Sequence, residues 1–125
     1  MSDLDHPATY RQLVRGFRTM ERAQPDVMRA FTDLHRAALA EGALSTKTKE
    51  LIALAIGIAS RCEGCIAYHV RDALRAGATR AEIEETVGVA ILMGGGPAAV
   101  YGSEAFDALA QFEAADAARR GPTGP

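Results

Sequence analysis

The chain predicts an all-α single domain of about six helices. Apolar residues recur at three- and four-residue steps along most of it, and no stretch alternates like a half-buried strand. Helix-capping residues interrupt the pattern at intervals that suit short helices. Its 125 residues fit one domain, taken as 1–125, and a hydrophobic content of 48% can supply a packed core.

Tyr10, Leu13, Val14, Phe17 and Met20 form the stripe of a first amphipathic helix, with Arg11, Arg15, Arg18 and Arg22 on its wet face. Gln24-Pro25-Asp26 interrupts it, and Pro25 suits the first turn of a second helix. That helix carries Val27, Phe31, Leu34 and Ala38 and ends before Glu41-Gly42. Ser45 or Thr46 caps a third helix, in which Glu50 is followed by apolar residues around the whole circumference, Leu51 to Ala59. Such a helix is expected to be central and buried on most sides. Arg61 marks its polar end. A fourth helix starts at the Cys62–Cys65 segment and runs to about Ala76, with Gly77 as its C′ residue.

Thr79-Arg80-Ala81-Glu82 reads as a capping box opening a fifth helix, whose apolar face is Ile83, Val87, Ala90 and Ile91. Gly94-Gly95-Gly96-Pro97 is expected to break it as a tight turn. It follows a helix rather than a strand and lacks the lysine of a phosphate loop. A last helix runs from about Ala98 through Tyr101, Ala105, Leu109 and Phe112. Residues 114–125, closing in Gly121-Pro122-Thr123-Gly124-Pro125, are expected to fray.

A net charge of −2 and a pI near 5.9 give no electrostatic reason to bind nucleic acid or an anionic membrane. The first ten residues are polar, and the longest apolar run falls well short of the ~20 residues of a membrane span. A cytoplasmic location is expected. In that reducing setting, a pair of cysteines is a poor permanent staple.

Both cysteines and one of three histidines fall in Glu50-x11-Cys62-Glu63-Gly64-Cys65-x3-His69. The Cys-x-x-Cys spacing allows a small disulfide ring, and His69 follows Cys65 by one helical turn on the same face. Cys62 at the helix start meets the positive end of the dipole, which favours thiolate, and His69 can take a proton from Cys65. Glu50 reaches this group only if the third and fourth helices fold into an antiparallel hairpin turning near Arg61. That hairpin sets Glu50 opposite about Asp72 and orders the group as Glu50, His69, Cys65, Cys62. Plainer uses of the same residues stay open. Glu50 could merely complement a helix dipole, the cysteines could be small core residues, and His69 could be a satisfied core histidine. Zinc is a further option, though no second ligand pair is present in the sequence. His6 and His35 have no sequence partners and are read as surface residues. Tyr68 packs or lines a pocket.

These residues, together with Leu44-Ser45, the run Glu50-Leu51-Ile52-Ala53-Leu54-Ala55 and Met93-Gly94-Gly95-Gly96-Pro97-Ala98, resemble the alkylhydroperoxidase D-like branch of the carboxymuconolactone decarboxylase family. The resemblance spans a motif core of 44–112. It implies an all-α homo-oligomer, a trimer or hexamer, that reduces hydroperoxides with a redox-active cysteine pair. It also implies that Cys65 is the attacking thiol, that Cys62 closes the disulfide and that His69 and Glu50 relay the proton. The implied electron donor is a dithiol or a lipoyl-bearing protein, with no cofactor and no metal. One departure is visible: some studied members carry a histidine between the cysteines, where this chain has Glu63-Gly64. An acid beside Cys62 disfavours its thiolate. The decarboxylase branch proper lacks the cysteine pair, which argues against decarboxylation of a muconolactone.

The leading expectation is therefore a thiol-dependent hydroperoxide reductase with peroxiredoxin-like antioxidant activity. Two alternatives stand beside it: a cofactor-free lyase or isomerase using His69 and Glu50 as acid and base, and a non-catalytic redox-sensing assembly module.

Overall fold

Helix follows helix from near the start of the chain to Arg120. The computed structural model describes residues 3–121, with α1 His6–Ala23, α2 Pro25–Leu39, α3 Thr46–Ala59, α4 Glu63–Arg75, α5 Arg80–Gly94 and α6 Gly96–Arg120. The fold is an all-α single domain. Several boundaries match their sequence signals: Ser45 accepts the Thr48 amide at the start of α3, and Thr79 and Glu82 form the reciprocal capping box of α5. Gly77 ends α4 at a φ of 95°, a conformation that favours glycine.

Three expectations need correction. Residues 114–120 continue α6 rather than fraying, because Glu113 to Arg120 is rich in alanine, with acid and arginine as further helix formers. Residues 122–125 of the expected tail lie outside the described residues. The glycine run breaks the chain only at Gly95, whose φ is 70°, while Gly96 and Pro97 already belong to the first turn of α6. Finally, α3 is less covered than a helix buried on most sides: Leu54 and Ile58 are fully buried, but Ile52 and Ile56 face out.

Two helix hairpins build the core. Leu54 and Ile58 of α3 meet Ile66, Val70 and Ala73 of α4, and Ile83 and Val87 of α5 meet Ala105, Leu109 and Phe112 of α6. Removing a side chain such as Leu109 from this set would cost about 2–5 kcal/mol. Glycine lets the helices approach: a Cβ on Gly57 would stand 3.0 Å from the Cβ of Cys65, so α3 sits directly against the cysteine helix. A bidentate pair from Arg71 to Asp116, 3.0 Å at both oxygens, ties α4 to α6, with the Arg71 guanidinium over the Phe112 ring. The Arg71 hydrogen bond holds the Asp116 carboxyl at about 2. The α1–α2 pair lies against this body. Helix α2 buries no residue fully and leaves Val27, Phe31 and Leu34 exposed.

Candidate functional site

The α3–α4 hairpin assembles the site. After Ala59 the chain reverses through Arg61, which adopts a left-handed φ of 59°, and the Cys62 amide returns a hydrogen bond to the Gly57 carbonyl at 3.0 Å. Cys62 is the N-cap of α4, and its sulfur accepts the Cys65 amide at 3.1 Å. Cys62 and Cys65 are joined as a disulfide, with their Cα atoms 5.1 Å apart. The helix dipole and the Cys65 amide therefore act on Cys62 first. Cys65 sits one turn in, among neighbours of its own.

Those neighbours come from both arms of the hairpin. Glu50 is 4% exposed on α3, and its Oε1 lies 2.7 Å from His69 Nδ1 on α4. An ionised carboxylate only accepts, so Nδ1 donates to it and Nε2 is left as the basic nitrogen. The four residues singled out from the sequence, Glu50, Cys62, Cys65 and His69, are thus brought together in the expected order. Asp72, expected opposite Glu50, is also close: burial first, then the Glu50 charge, pushes its carboxyl above the usual range. Among the described residues, no cluster of histidine, cysteine and acid is able to hold a metal ion.

A cavity of about 210 Å³ opens onto both cysteines and His69. Its wall is apolar, built by Leu13 and Phe17 of α1 and Phe31 of α2, with Tyr68 of α4. Gly64, between the cysteines, lets Leu13 close in, since a Cβ there would stand 3.3 Å from the Leu13 Cδ1. Tyr68 lines the cavity as well as packing. Its ring centroid lies 5.3 Å from that of His69 and 5.4 Å from that of Tyr10. Burial, aided by the charge of Asp72, pushes its hydroxyl up to about 12, so the phenol keeps its proton.

Both histidines read as surface residues are placed otherwise. His35 lines the same cavity, stacked on His69 at 6.5 Å with 12° between the rings. His6 is 1% exposed and its Nε2 lies 2.8 Å from Glu104 on α6. No local motif marks either one. Each is positioned by packing between helices that are remote in sequence.

The model of the carboxymuconolactone decarboxylase family matches residues 25–119. An uncharacterized protein of Cupriavidus necator is 42% identical over 101 residues, covering 78% of this chain and 89% of that protein. The apo structure of a carboxymuconolactone decarboxylase family protein from Legionella pneumophila superposes with a TM-score of 0.83 at 38% identity, over 86% of this chain and 96% of that one. A family member from Thermotoga maritima, for which involvement in an antioxidative response has been suggested, gives 0.66 at 31% identity, over 70% and 91%.

Proposed function

This chain belongs to the carboxymuconolactone decarboxylase family, and we propose that it is a thiol-dependent hydroperoxide reductase of the alkylhydroperoxidase D-like branch. The observation that carries the reading is a disulfide-forming pair, Cys62–Cys65, sharing one small apolar cavity with a histidine whose far nitrogen is held by a buried glutamate.

In the reduced protein, His69 Nε2 takes the Cys65 proton while Glu50 stabilises the resulting imidazolium through Nδ1. The Cys65 thiolate attacks the terminal oxygen of the hydroperoxide. An S–O bond forms, the O–O bond breaks and the alkoxide leaves as the alcohol once protonated, so sulfur is oxidised by two electrons and the peroxide reduced by two. Cys62, at the helix start where thiolate is favoured, then attacks the sulfenic sulfur. The S–S bond forms, and hydroxide departs to become water. A dithiol or a lipoyl-bearing protein returns the pair to thiols by exchange. A cytoplasmic setting suits such a cycle, because the disulfide is a transient there. Among the described residues, no helix is long and apolar enough to cross a membrane.

Self-association belongs to the same proposal. Ile52 and Ile56 on α3, Leu92 and Met93 on α5 and Val100 on α6 are exposed, more apolar surface than a small monomer usually leaves in water. A trimer or hexamer is the expected assembly, and a stable 13.2 kDa species in light scattering would refute it.

The test of function is peroxide consumption with a dithiol donor, followed by intact mass. Stoichiometric peroxide should remove two hydrogens, about 2 Da, from the reduced protein, and dithiol should restore them. Free thiols after peroxide would end the reading. An activity that survives thiol alkylation would instead favour the lyase or isomerase use of His69 and Glu50. Disulfide formation without turnover would favour a redox-sensing module.

A further inference from the structure

His35 is a cavity residue without an assigned purpose. It comes from α2, a helix that buries no residue fully, and yet its ring is fixed on two sides. It stacks on His69 at 6.5 Å and meets Tyr68 edge-on at 5.8 Å. Its Nε2 is buried with no hydrogen-bond partner. A buried, unpaired imidazole nitrogen costs free energy; His6 Nδ1 is another, but His35 is the one that shares a cavity with the two cysteines. His69 is different: one of its nitrogens is committed to Glu50. The cavity thus holds two imidazoles, one wired as a base and one left unwired.

The chemistry proposed for the site moves two protons. One leaves the thiol before attack, and one must reach the alkyl-bearing oxygen when the O–O bond breaks, because an alkoxide is a poor leaving group. A single histidine can shuttle both, but a second imidazole in the same cavity lets the two transfers proceed together. His69, with Nδ1 bonded to Glu50, is held as the acceptor. We infer that His35 is the catalytic acid that protonates the leaving oxygen of an organic hydroperoxide. This rests on the hydroperoxide-reductase reading and deepens it.

Cys65 thiolate takes the terminal hydroxyl oxygen, the O–O electron pair passes to the alkyl-bearing oxygen, and that oxygen takes a proton from His35 imidazolium. The products are sulfenic Cys65, the alcohol and neutral His35. Cys65 and His35 line the same cavity of about 210 Å³, so a peroxide held on the Cys65 sulfur shares that space with the His35 ring.

The experiment compares leaving groups in His35→Gln and wild type. Glutamine keeps a polar side chain of similar reach but cannot deliver a proton. With tert-butyl hydroperoxide, whose alkoxide must be protonated, the variant should be slower by about 10²-fold. With peracetic acid the leaving group is a carboxylate, stable as the anion at neutral pH because carboxyl groups titrate near about 4. There the variant should be slowed far less. Iodoacetamide alkylation of the reduced cysteines reports whether the thiols remain intact and activated. An equal loss with both peroxides overturns the assignment and makes His35 a packing residue, as does full activity with tert-butyl hydroperoxide. A wild type that consumes neither peroxide overturns the hydroperoxide-reductase reading itself, and this inference with it.

Discussion

Two histidine–glutamate pairs of nearly equal length stand in this small domain. His69 and Glu50 meet at 2.7 Å between α4 and α3, and His6 and Glu104 meet at 2.8 Å between α1 and α6. The first opens on a cavity that also holds two sulfurs. The second is a clasp. His6 begins α1, its amide bonds Gln111 Oε1 at 2.7 Å, and Gln111 in turn donates to the Leu4 carbonyl at 2.8 Å, so the group fastens the start of α1 onto α6. Glu104 does line an open groove of about 520 Å³, but that groove holds no thiol. A buried imidazole–carboxylate pair is therefore not a site by itself. The neighbour that can use the proton makes it one.

The comparison is broken or upheld first by kinetics. Cys65→Ser should abolish peroxide consumption, and His69→Ala should slow it by roughly 10²- to 10⁴-fold, the usual worth of a general base. His6→Ala should leave turnover of the folded protein unchanged. If His6→Ala were as damaging as His69→Ala while the fold survived, the clasp reading would be wrong.

A smaller effect is expected from the two acids. Glu50→Gln should keep the fold but slow thiol alkylation near neutral pH by at least about tenfold, because the amide no longer fixes the His69 tautomer or balances its charge. Its rate–pH profile should also be displaced from that of wild type. Glu104→Gln should give a profile that superimposes on wild type. Superimposable profiles for Glu50→Gln would mean that Glu50 is a structural acid.

Stability should order the pairs the other way. His6→Ala leaves the Glu104 carboxylate without its imidazole partner, while the backbone amide at position 6 still bonds Gln111, and should lower unfolding free energy by about 1–3 kcal/mol, read from denaturant midpoints. A loss below ~0.5 kcal/mol would mean that α1 is held by Tyr10 and its ring contacts instead.

What the sequence could disclose follows the range of the interactions. The start of α3 at Ser45, the capping box at Thr79 and the end of α4 at Gly77 are local, and each was readable from a few neighbouring residues. Glu50 was reachable because only one short turn, at Arg61, separates its helix from that of His69. His35 lies 27 residues before Cys62 on a weakly buried helix, and the packing of α2 brings it to the cavity. His6 reads as a surface residue from sequence because its partner, Glu104, is 98 residues away. The exposed stripe of Ile52 and Ile56 was misread for a related reason: an apolar face looks the same whether it is covered by its own chain or left for another.

The smallest effect tests what lies beside the cavity pair. Asp72 is packed near Glu50, and burial together with that neighbouring charge raises its carboxyl above the ordinary value of 3.8, with Arg75 at 3.7 Å and the two cavity histidines pulling the other way. An acid whose folded-state value is raised holds its proton more tightly in the folded protein than in the unfolded chain. Its contribution to stability is full below the unfolded value and is lost as pH rises through the folded one. At neutral pH the charged Asp72 is a liability that asparagine, neutral at every pH, does not share. Asp72→Asn should therefore be slightly more stable than wild type at pH 7, by no more than about 0.5 kcal/mol, with the gain shrinking as pH is lowered through the carboxylate range. Thermal melts of both proteins across that range decide it. A variant less stable than wild type at pH 7 would mean that the ion pair with Arg75 outweighs burial, and that a third carboxylate belongs to the charge balance of the cavity.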